Sequence, residues 1–377
     1  MVPNSTRVSR RVTGLPLMAG VVLLLAGARA QAEPTVAAAY AAIYTLATFP
    51  GTPPSGATNP DDLAVSADGT DLWVGYGNGV DTTGKSGASN LVEYDIASGE
   101  VLKNISVPGH LDGLKINPTT GNVWATENED GNPTLAIINA KTGKLKIYTF
   151  ETTLITGGMD DLVFSGPQSQ DVFIVSSSQT DITKPVIVQI SGKPKKTGTE
   201  LTQTLAGNPP SVWNVVTNEA ETTDQIGDPD SMTLDPAGEL VLDNRSDDSL
   251  YIVRAPTAPH PVLRVPLTLA GNPVEVNDTI FTTSATSGTA STAGVIFITD
   301  TTANAIYTLT KPYFPANEVY SAANVVNDVG VVDLNTGVVT SVATGFKGLH
   351  GLAFAPHAVA IAPPTPRDAH GKTRTGD

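Results

Sequence analysis

Short apolar segments separated by Gly- and Pro-bearing turns run along the chain, and one hairpin recurs. Asp61-Asp62-Leu63-Ala64-Val65-Ser66 leads through Ala67-Asp68-Gly69 to a second strand at 72–76. Residues 112–117 lead to 123–125, 160–164 to 172–175, and 230–234 to 240–242. Residues 278–281 lead, after a Ser/Thr/Gly loop, to 295–298, and 350–354 lead to 358–362. Each unit reads as strand, turn, strand. A third strand usually follows, as at 91–95, 135–139, 186–190, 250–253 and 305–309, and then a more polar fourth, as at 101–107. Three of the intervening turns, 95–99, 139–143 and 333–337, share an Asp/Asn-to-Gly form.

The unit openings lie 51, 48, 70, 48 and 72 residues apart. Four short strands in about 50 residues is the size of one propeller blade. The pattern predicts an all-β fold, a six-bladed β-propeller with four-stranded antiparallel blades. Insertions at 206–227 and 310–328 account for the long intervals. Only two strands follow His350 before Pro363, so the last blade lacks its outer strand or strands. Ala42-Ile43-Tyr44-Thr45-Leu46 repeats residues 305–309 letter for letter. The segment 35–48 is therefore expected to close the propeller as an N-terminal strand, leaving no long open edge. Residues 310–345 hold one strand more than a plain blade needs.

Composition agrees with short strands and tight turns: Gly, Thr, Ser, Asn and Pro are abundant and charged residues make up 16%. Residues 1–32 read as a secretory signal peptide, with Arg7, Arg10 and Arg11 before an apolar run at 15–26 and small-x-small sites at 28–30 and 30–32. Residues 33–362 then form a single propeller domain, and the Pro-rich, then polar and basic tail 363–377 is expected to be disordered. The mature chain is expected to be secreted or periplasmic. No later stretch could span a membrane. The absence of cysteine is compatible with export, since a chain this long buries enough core without disulfides. A net charge of −15 argues against nucleic acid or an anionic membrane as partner. It favours cations or neutral ligands, or serves solubility alone. The expected state is a monomer with a small-molecule or protein ligand.

The opening residues of the six units are Asp61, Asp112, Asp160, Asp230, Asp278 and His350. The first strand of a blade is innermost, so these side chains are expected at one mouth of the central channel. Carboxylates about 7 Å apart at an effective dielectric near 20 repel by roughly 2 kcal/mol per pair. They must protonate in part, accept hydrogen bonds or bind a cation. An oxygen cage suits Ca²⁺. His350 extends the choice to Mn²⁺ or Zn²⁺, or acts as a general base beside the metal. The competing reading is that each aspartate caps its own turn and His350 packs. Glu127-Asn128-Glu129-Asp130 reads as a solvated acidic loop. Residues 243–248 read likewise, or as a surface calcium loop, and Trp73 and Trp124 read as core. No Gly-x-Ser-x-Gly elbow, phosphate loop, thiol nucleophile or paired-His zinc motif is present.

Ile298-Thr299-Asp300-Thr301-Thr302-Ala303-Asn304-Ala305-Ile306 resembles the Asp…Asn…Ile strand pair of NHL and SMP-30-like blades. Asp95-Ile96-Ala97-Ser98-Gly99 and Asp333-Leu334-Asn335-Thr336-Gly337 resemble the YVTN-type turn. Over residues 41–362 the chain thus resembles the NHL/YVTN/SMP-30 (gluconolactonase-like) group of propellers. Residues 59–130 also look like a group of exported bacterial propellers of unassigned function. The resemblance implies a divalent metal held in the channel by residues at the blade openings. Asp112, Asp160 and Asp230 match that position, and Gly113 matches the glycine that often follows. Leu349-His350-Gly351 is similar to the Pro-His-Gly opening of paraoxonases, with Leu for Pro. The Glu-Gly-Pro opening of SMP-30 proteins is absent, and Asp replaces their Asn ligands. The expected function is a metal-dependent hydrolase of the lactonase or esterase type, or a lyase or isomerase using the same channel. The alternative is a non-catalytic binding or scaffold propeller whose acidic ring is structural.

Overall fold

The computed structural model describes residues 32–356 apart from 156, 177–180, 182, 210, 222–225 and 284–290. The signal segment and the tail fall outside the described residues, as does the expected strand at 358–362. Among the described residues no helix is long and apolar enough to cross a membrane.

Period-two alternation builds the strands. In Asp71–Tyr76, Leu72, Val74 and Tyr76 bury on one side of their sheet and Trp73 on the other. The Asp/Asn-to-Gly turns form as expected. The Oδ1 atoms of Asp95, Asn139 and Asp333 accept the N–H of Ser98, Thr142 and Asn335, and Gly99, Gly143 and Gly337 close the turns at φ of 73°, 69° and 68°.

Among the described residues the strands assemble as a β-propeller of six sheets, antiparallel except where outer hairpins join sheets 4 and 5 by parallel pairs. Sheet 1 runs outward from Pro60–Val65 through Asp71–Tyr76 and Ala88–Asp95 to Val101–Pro108. Sheet 2 runs from Leu111–Ile116 to Lys144–Thr149, and sheet 3 from Leu162–Ser165 to Leu201–Ala206. Sheet 4 begins at Pro229–Leu234 and its fourth strand is Val262–Pro266. The hairpin of Val212–Asn214 and Glu219–Glu221 is added to its outer edge, within the expected insertion at 206–227. Each inner strand touches the next, and that of sheet 6 touches that of sheet 1. Hydrophobic clusters fill the interfaces between neighbouring sheets.

The last two sheets depart from the expected order. Residues 278–281 do not pair with 295–298. Thr279–Phe281 instead pairs with Val319–Ala323, and sheet 5 continues through Asp328–Asp333 to Val338–Thr344. The ten-residue strand Ser291–Asp300 lies in sheet 6 against the inner strand Leu349–Pro356, with which it forms six residue pairs, whereas Thr279–Phe281 has only three residues to offer. Ala305–Pro315 follows as the third strand of that sheet. The chain thus crosses from sheet 5 into sheet 6 and back. Residues 310–328 are this return rather than an insertion. Lys311 anchors it: its ammonium pairs with Glu318 and lies 5.0–5.5 Å from the ring centres of Tyr44, Phe314 and Tyr320. Thr45–Thr48 closes sheet 6 against Ala305–Pro315, with Leu46 opposite Leu309, and Thr35–Val36 pairs with the outer strand of sheet 5.

Each inner strand opens with a two-residue irregularity that positions the channel. In sheets 1, 2, 4 and 6 it is a one-residue bulge between Pro60 and Leu63, Leu111 and Leu114, Pro229 and Met232, and Leu349 and Leu352. In sheet 3, Asp160 N–H donates to Val175 O and Val175 N–H to Asp161 O. In sheet 5, Asn277 N–H and Ala322 N–H make the same pair of bonds with Ala322 O and Asp278 O. The first residue of each pair faces the channel mouth where the inner strands start, here termed the front.

In three sheets the second residue caps the next sheet. The Oδ2 atoms of Asp62, Asp161 and Asp278 accept the N–H of Leu114, Met232 and Leu352 at 2.8, 3.0 and 2.6 Å. The alternating positions are Gly113, Ser231 and Gly351. A Cβ on Gly113 would lie 2.3 Å from Asp161 Cα, and one on Gly351 2.7 Å from Asp61 O, so the close approach requires glycine at both. Lys115 Nζ lies 2.8 Å from Asp161 Oδ2 and 3.5 Å from Asp62 Oδ2. Burial pushes the Lys115 ammonium down, but Asp161, Asp62 and Asp278 together hold it above its usual value.

Removing the cation while keeping the stem leaves these carboxylates uncompensated. Lys115→Met should lower stability by about 3 kcal/mol at pH 7 in urea unfolding. The deficit should shrink at pH 5, because carboxyls with raised folded values regain stability as they protonate. An equal deficit at both pH values would rule out a charge origin.

Candidate functional site

The front mouth opens into a cavity of about 290 Å³ lined by Asp61, His110, Asp112, Glu129, Asp230, Arg245 and His350, among others. The repeat brings Asp61, Asp112, Asp160, Asp230 and His350 together, linked to one another by charge and hydrogen bonds. Asp278 is not among them. The backbone register aligns Asn277 with the ring, and Asn277 Nδ2 donates to Asp230 Oδ2 at 2.5 Å. Asp278 is instead the capping residue of sheet 5. The expected register was one residue off because Asp278 heads a Thr-Ile-Phe strand, as Asp161 heads Leu-Val-Phe.

Glu129, read from sequence as part of a solvated loop, faces this cavity, while Glu127 is fully buried with Oε2 accepting from Thr134. A signal for Glu129 was present. The second strand of a hairpin ends where the first begins, so the loop after Val123–Glu127 lies at the mouth reached by Asp112. Arg245 follows Leu240–Asn244 and Thr301 follows Ser291–Asp300 by the same geometry. The other candidates are spent elsewhere. Asp243 is buried and accepts from Ser231, and Asp247 accepts from Tyr251 and pairs with Arg264 Nε at 2.9 Å. Trp73 is core, and Trp124 packs edge-on against Phe164.

Carboxylate oxygens of Asp112, Glu129 and Asp160 all lie within 4.8 Å of one another. Two oxygens that each sit about 2.4 Å from a shared cation lie no more than about 4.8 Å apart, so this trio has the span of a hard-cation site. A second observation points the same way. Asp112 is 8% exposed, and its Oδ2 is buried with no hydrogen-bond partner among the described residues. An orphaned buried carboxylate oxygen costs free energy that a cation would recover.

The charge states follow from the neighbours. Burial, then the charges of Glu129, Asp61 and Asp230, hold Asp112 well above the usual carboxylate range. Burial and the charges of Asp112, Asp230 and Glu129 do the same for Asp160, which shares a hydrogen bond with Asp230. Burial pushes Glu129 up to about 7, with Asp61 and Asp130 adding to it. Burial also raises Asp230 to about 7, against the pull of Arg245 and His350.

Asp61 behaves oppositely. Burial pushes it up, but the charge and hydrogen bond of His350 outweigh that and bring it below its usual value. His350 Nδ1 donates to Asp61 Oδ1 at 2.5 Å. Burial lowers His350, yet Asp61 and Asp230 lift it to about 9, so it is an imidazolium at neutral pH. The other ring nitrogen has no partner among the described residues. His110 Nε2 stands 3.8 Å from Asp61 Oδ2 and 3.9 Å from Glu129 Oε1.

No protein-family model and no curated protein matches the sequence. Among solved structures the chain is similar to a streptogramin B lyase (15% identity, 82% of this chain and 91% of that one, TM-score 0.46). It is similar to virginiamycin B lyase from Staphylococcus aureus (13%, 83% and 95%, TM-score 0.45). A third is a putative gluconolactonase (8%, 84% and 88%, TM-score 0.46). At these levels no residue role carries over from them.

The raised carboxyls make a pH signature. Glu129 and Asp230 contribute stability below about pH 4 that is lost as pH rises through about 7. A bound cation would offset this loss. The metal-free chain should therefore melt lower at pH 7.5 than at pH 5.5, and millimolar Ca²⁺ or Mn²⁺ should raise the melting temperature more at pH 7.5. A shift that is absent, or larger at pH 5.5, would count against these carboxylates as the cation's ligands.

Proposed function

We propose that the chain is an exported six-bladed propeller that holds one divalent cation at its front mouth through Asp112, Glu129 and Asp160, and hydrolyses a small ester or lactone there. The observation that carries this reading is the orphaned Asp112 Oδ2, set against the other two carboxylates. Capping, the competing role for the repeated aspartates, is taken by Asp278 but otherwise by Asp62 and Asp161, which follow the mouth residues Asp61 and Asp160. Export rests on the signal-like residues 1–32.

A cation in this trio supplies Lewis acidity toward a carbonyl oxygen and lowers the pKa of a bound water. The oxygen donors favour Ca²⁺ or Mn²⁺. His350 supplies a proton: Asp61 fixes its ring through Nδ1 and keeps it charged, leaving the Nε2 proton for a departing alkoxide. General-acid work suits this histidine better than the general-base role expected from sequence, since a base must be unprotonated at working pH. Arg245, held by Glu275 at 2.8 Å, lies on the cavity wall and can receive negative charge on the substrate.

Elemental analysis of purified chain should find one divalent ion, absent from Asp112→Asn/Asp160→Asn. His350→Gln should retain the ion and lose about 10²–10⁴-fold in kcat on whichever substrate of a lactone and ester panel is cleaved. A protein that takes up no divalent ion near neutral pH would remove the proposal. Metal uptake with no hydrolysis across the panel would remove the catalytic half.

A further inference from the structure

The other end of the channel has the opposite chemistry. At or near its end each inner strand places an apolar residue there: Val65, Ile116, Phe164, Leu234, Phe281 and Phe354. All six line one cavity of about 330 Å³, and all but Phe281 remain partly exposed. That volume falls in the roughly 300–1,000 Å³ range of small-molecule pockets. Six apolar side chains converging on one open well cost free energy in water unless something covers them.

The floor of the well states what kind of molecule fits. Lys115 and Asp278 line it, and Asp62, Asp161 and Asp243 surround them. Three of these carboxyls, Asp161, Asp62 and Asp278, thus act on one ammonium, whose contacts are already directed at Asp161 and Asp62. Burial, with repulsion from neighbouring carboxylates, holds Asp62, Asp243 and Asp278 above the usual carboxylate range. Lys115 is already shared between Asp161 and Asp62, so the floor offers an anionic head little free positive charge, while Asp278 makes no ion pair with a cation among the described residues. A cationic head would relieve the repulsion while its body covered the apolar wall.

We propose that the rear mouth is a second binding site, for a small amphiphilic amine whose ammonium faces Asp278 and whose aryl or alkyl body lies against the apolar ring. It is independent of the front cation site. The two are separated by the Lys115–aspartate tier, and no residue lines both cavities.

Calorimetric titration of the full chain with 4-phenylbutylamine, 4-phenylbutanol and 4-phenylbutyrate separates the head groups on one body. The amine should bind at least tenfold more tightly than the alcohol, and the carboxylate most weakly. Asp278→Asn should cost the amine at least tenfold and leave the alcohol unchanged, and Phe354→Ser should weaken both. Should Asp278→Asn fail to fold, having lost part of its bond with Leu352, Ala353→Leu tests the same site by filling the well, and it should abolish amine binding. Saturating Ca²⁺ and Asp112→Asn should leave amine affinity within twofold. Equal affinity for the three heads, no binding of the amine, or undiminished binding in Ala353→Leu would overturn the proposal. So would displacement of the amine by Ca²⁺, which would put it at the front mouth.

Discussion

The structure depends on how the innermost strands of neighbouring sheets are joined around the axis. Ordinary strand pairing cannot do this, because each inner strand's partner lies outward in its own sheet. The irregularity at the strand openings supplies this connection at three of the junctions. It turns one residue toward the mouth and the next toward the neighbouring sheet, where Asp62, Asp161 and Asp278 each bind a backbone N–H. Carboxylates placed this close repel, and Lys115 offsets that at the centre. The price is paid in sequence freedom: glycine is required at 113 and 351, and a long cation must reach the axis from 115.

The same bulge explains why the two mouths differ. Its first residue carries the front-mouth polar group, and residues after it resume strand alternation into the sheet interfaces. Toward the rear end the alternation presents mostly hydrocarbon, with Thr233 and Thr279 among it. A single strand pattern, repeated, therefore yields a charged mouth, an ionic tier and an apolar mouth in succession. The front is thereby desolvated from behind, which raises its carboxyl values and makes an ion there worth more than it would be in open water.

Much of this was legible in the sequence. Local signals sufficed for sheets 1 to 4, where each four-strand unit is contiguous and the Asp/Asn-to-Gly turns mark the outer hairpins. The N-terminal closure was legible because only two strands could be counted from His350 to Pro363, and because residues 42–46 repeat residues 305–309. What escaped was non-local. Ser291–Asp300 follows Thr279–Phe281 along the chain, and nothing in its composition says that its partner is Leu349–Pro356. The surplus strand at 310–345 was the trace of that crossing. At the site, the ring positions came from the repeat, whereas Glu129 and Arg245 belong to loops that do not repeat. Asp278 was assigned by its resemblance to Asp160, although the backbone equates it with Asp161. A one-residue slip exchanges a mouth residue for a capping residue, since consecutive strand positions face different ways.

The crossing also bears on how the fold can assemble. Sheet 6 draws on Thr45–Thr48, Ser291–Pro315 and Leu349–Pro356, so it cannot close until nearly the whole chain is present. Loop-closure entropy rises only slowly with length, so the thermodynamic cost is modest, but contacts this distant form late. Sheets 1 to 4 can gain their local contacts first. The Lys311 cage of Tyr44, Phe314 and Tyr320 then joins the N-terminal segment, the crossing strand and sheet 5 at one point. Closure at that point brings the inner strand of sheet 6 beside that of sheet 1 and sets His350 against Asp61, residues from opposite ends of the domain. The histidine–aspartate pair of the front mouth therefore exists only in the fully closed ring, and partly closed chains would carry the carboxylates without the charged imidazole that offsets them.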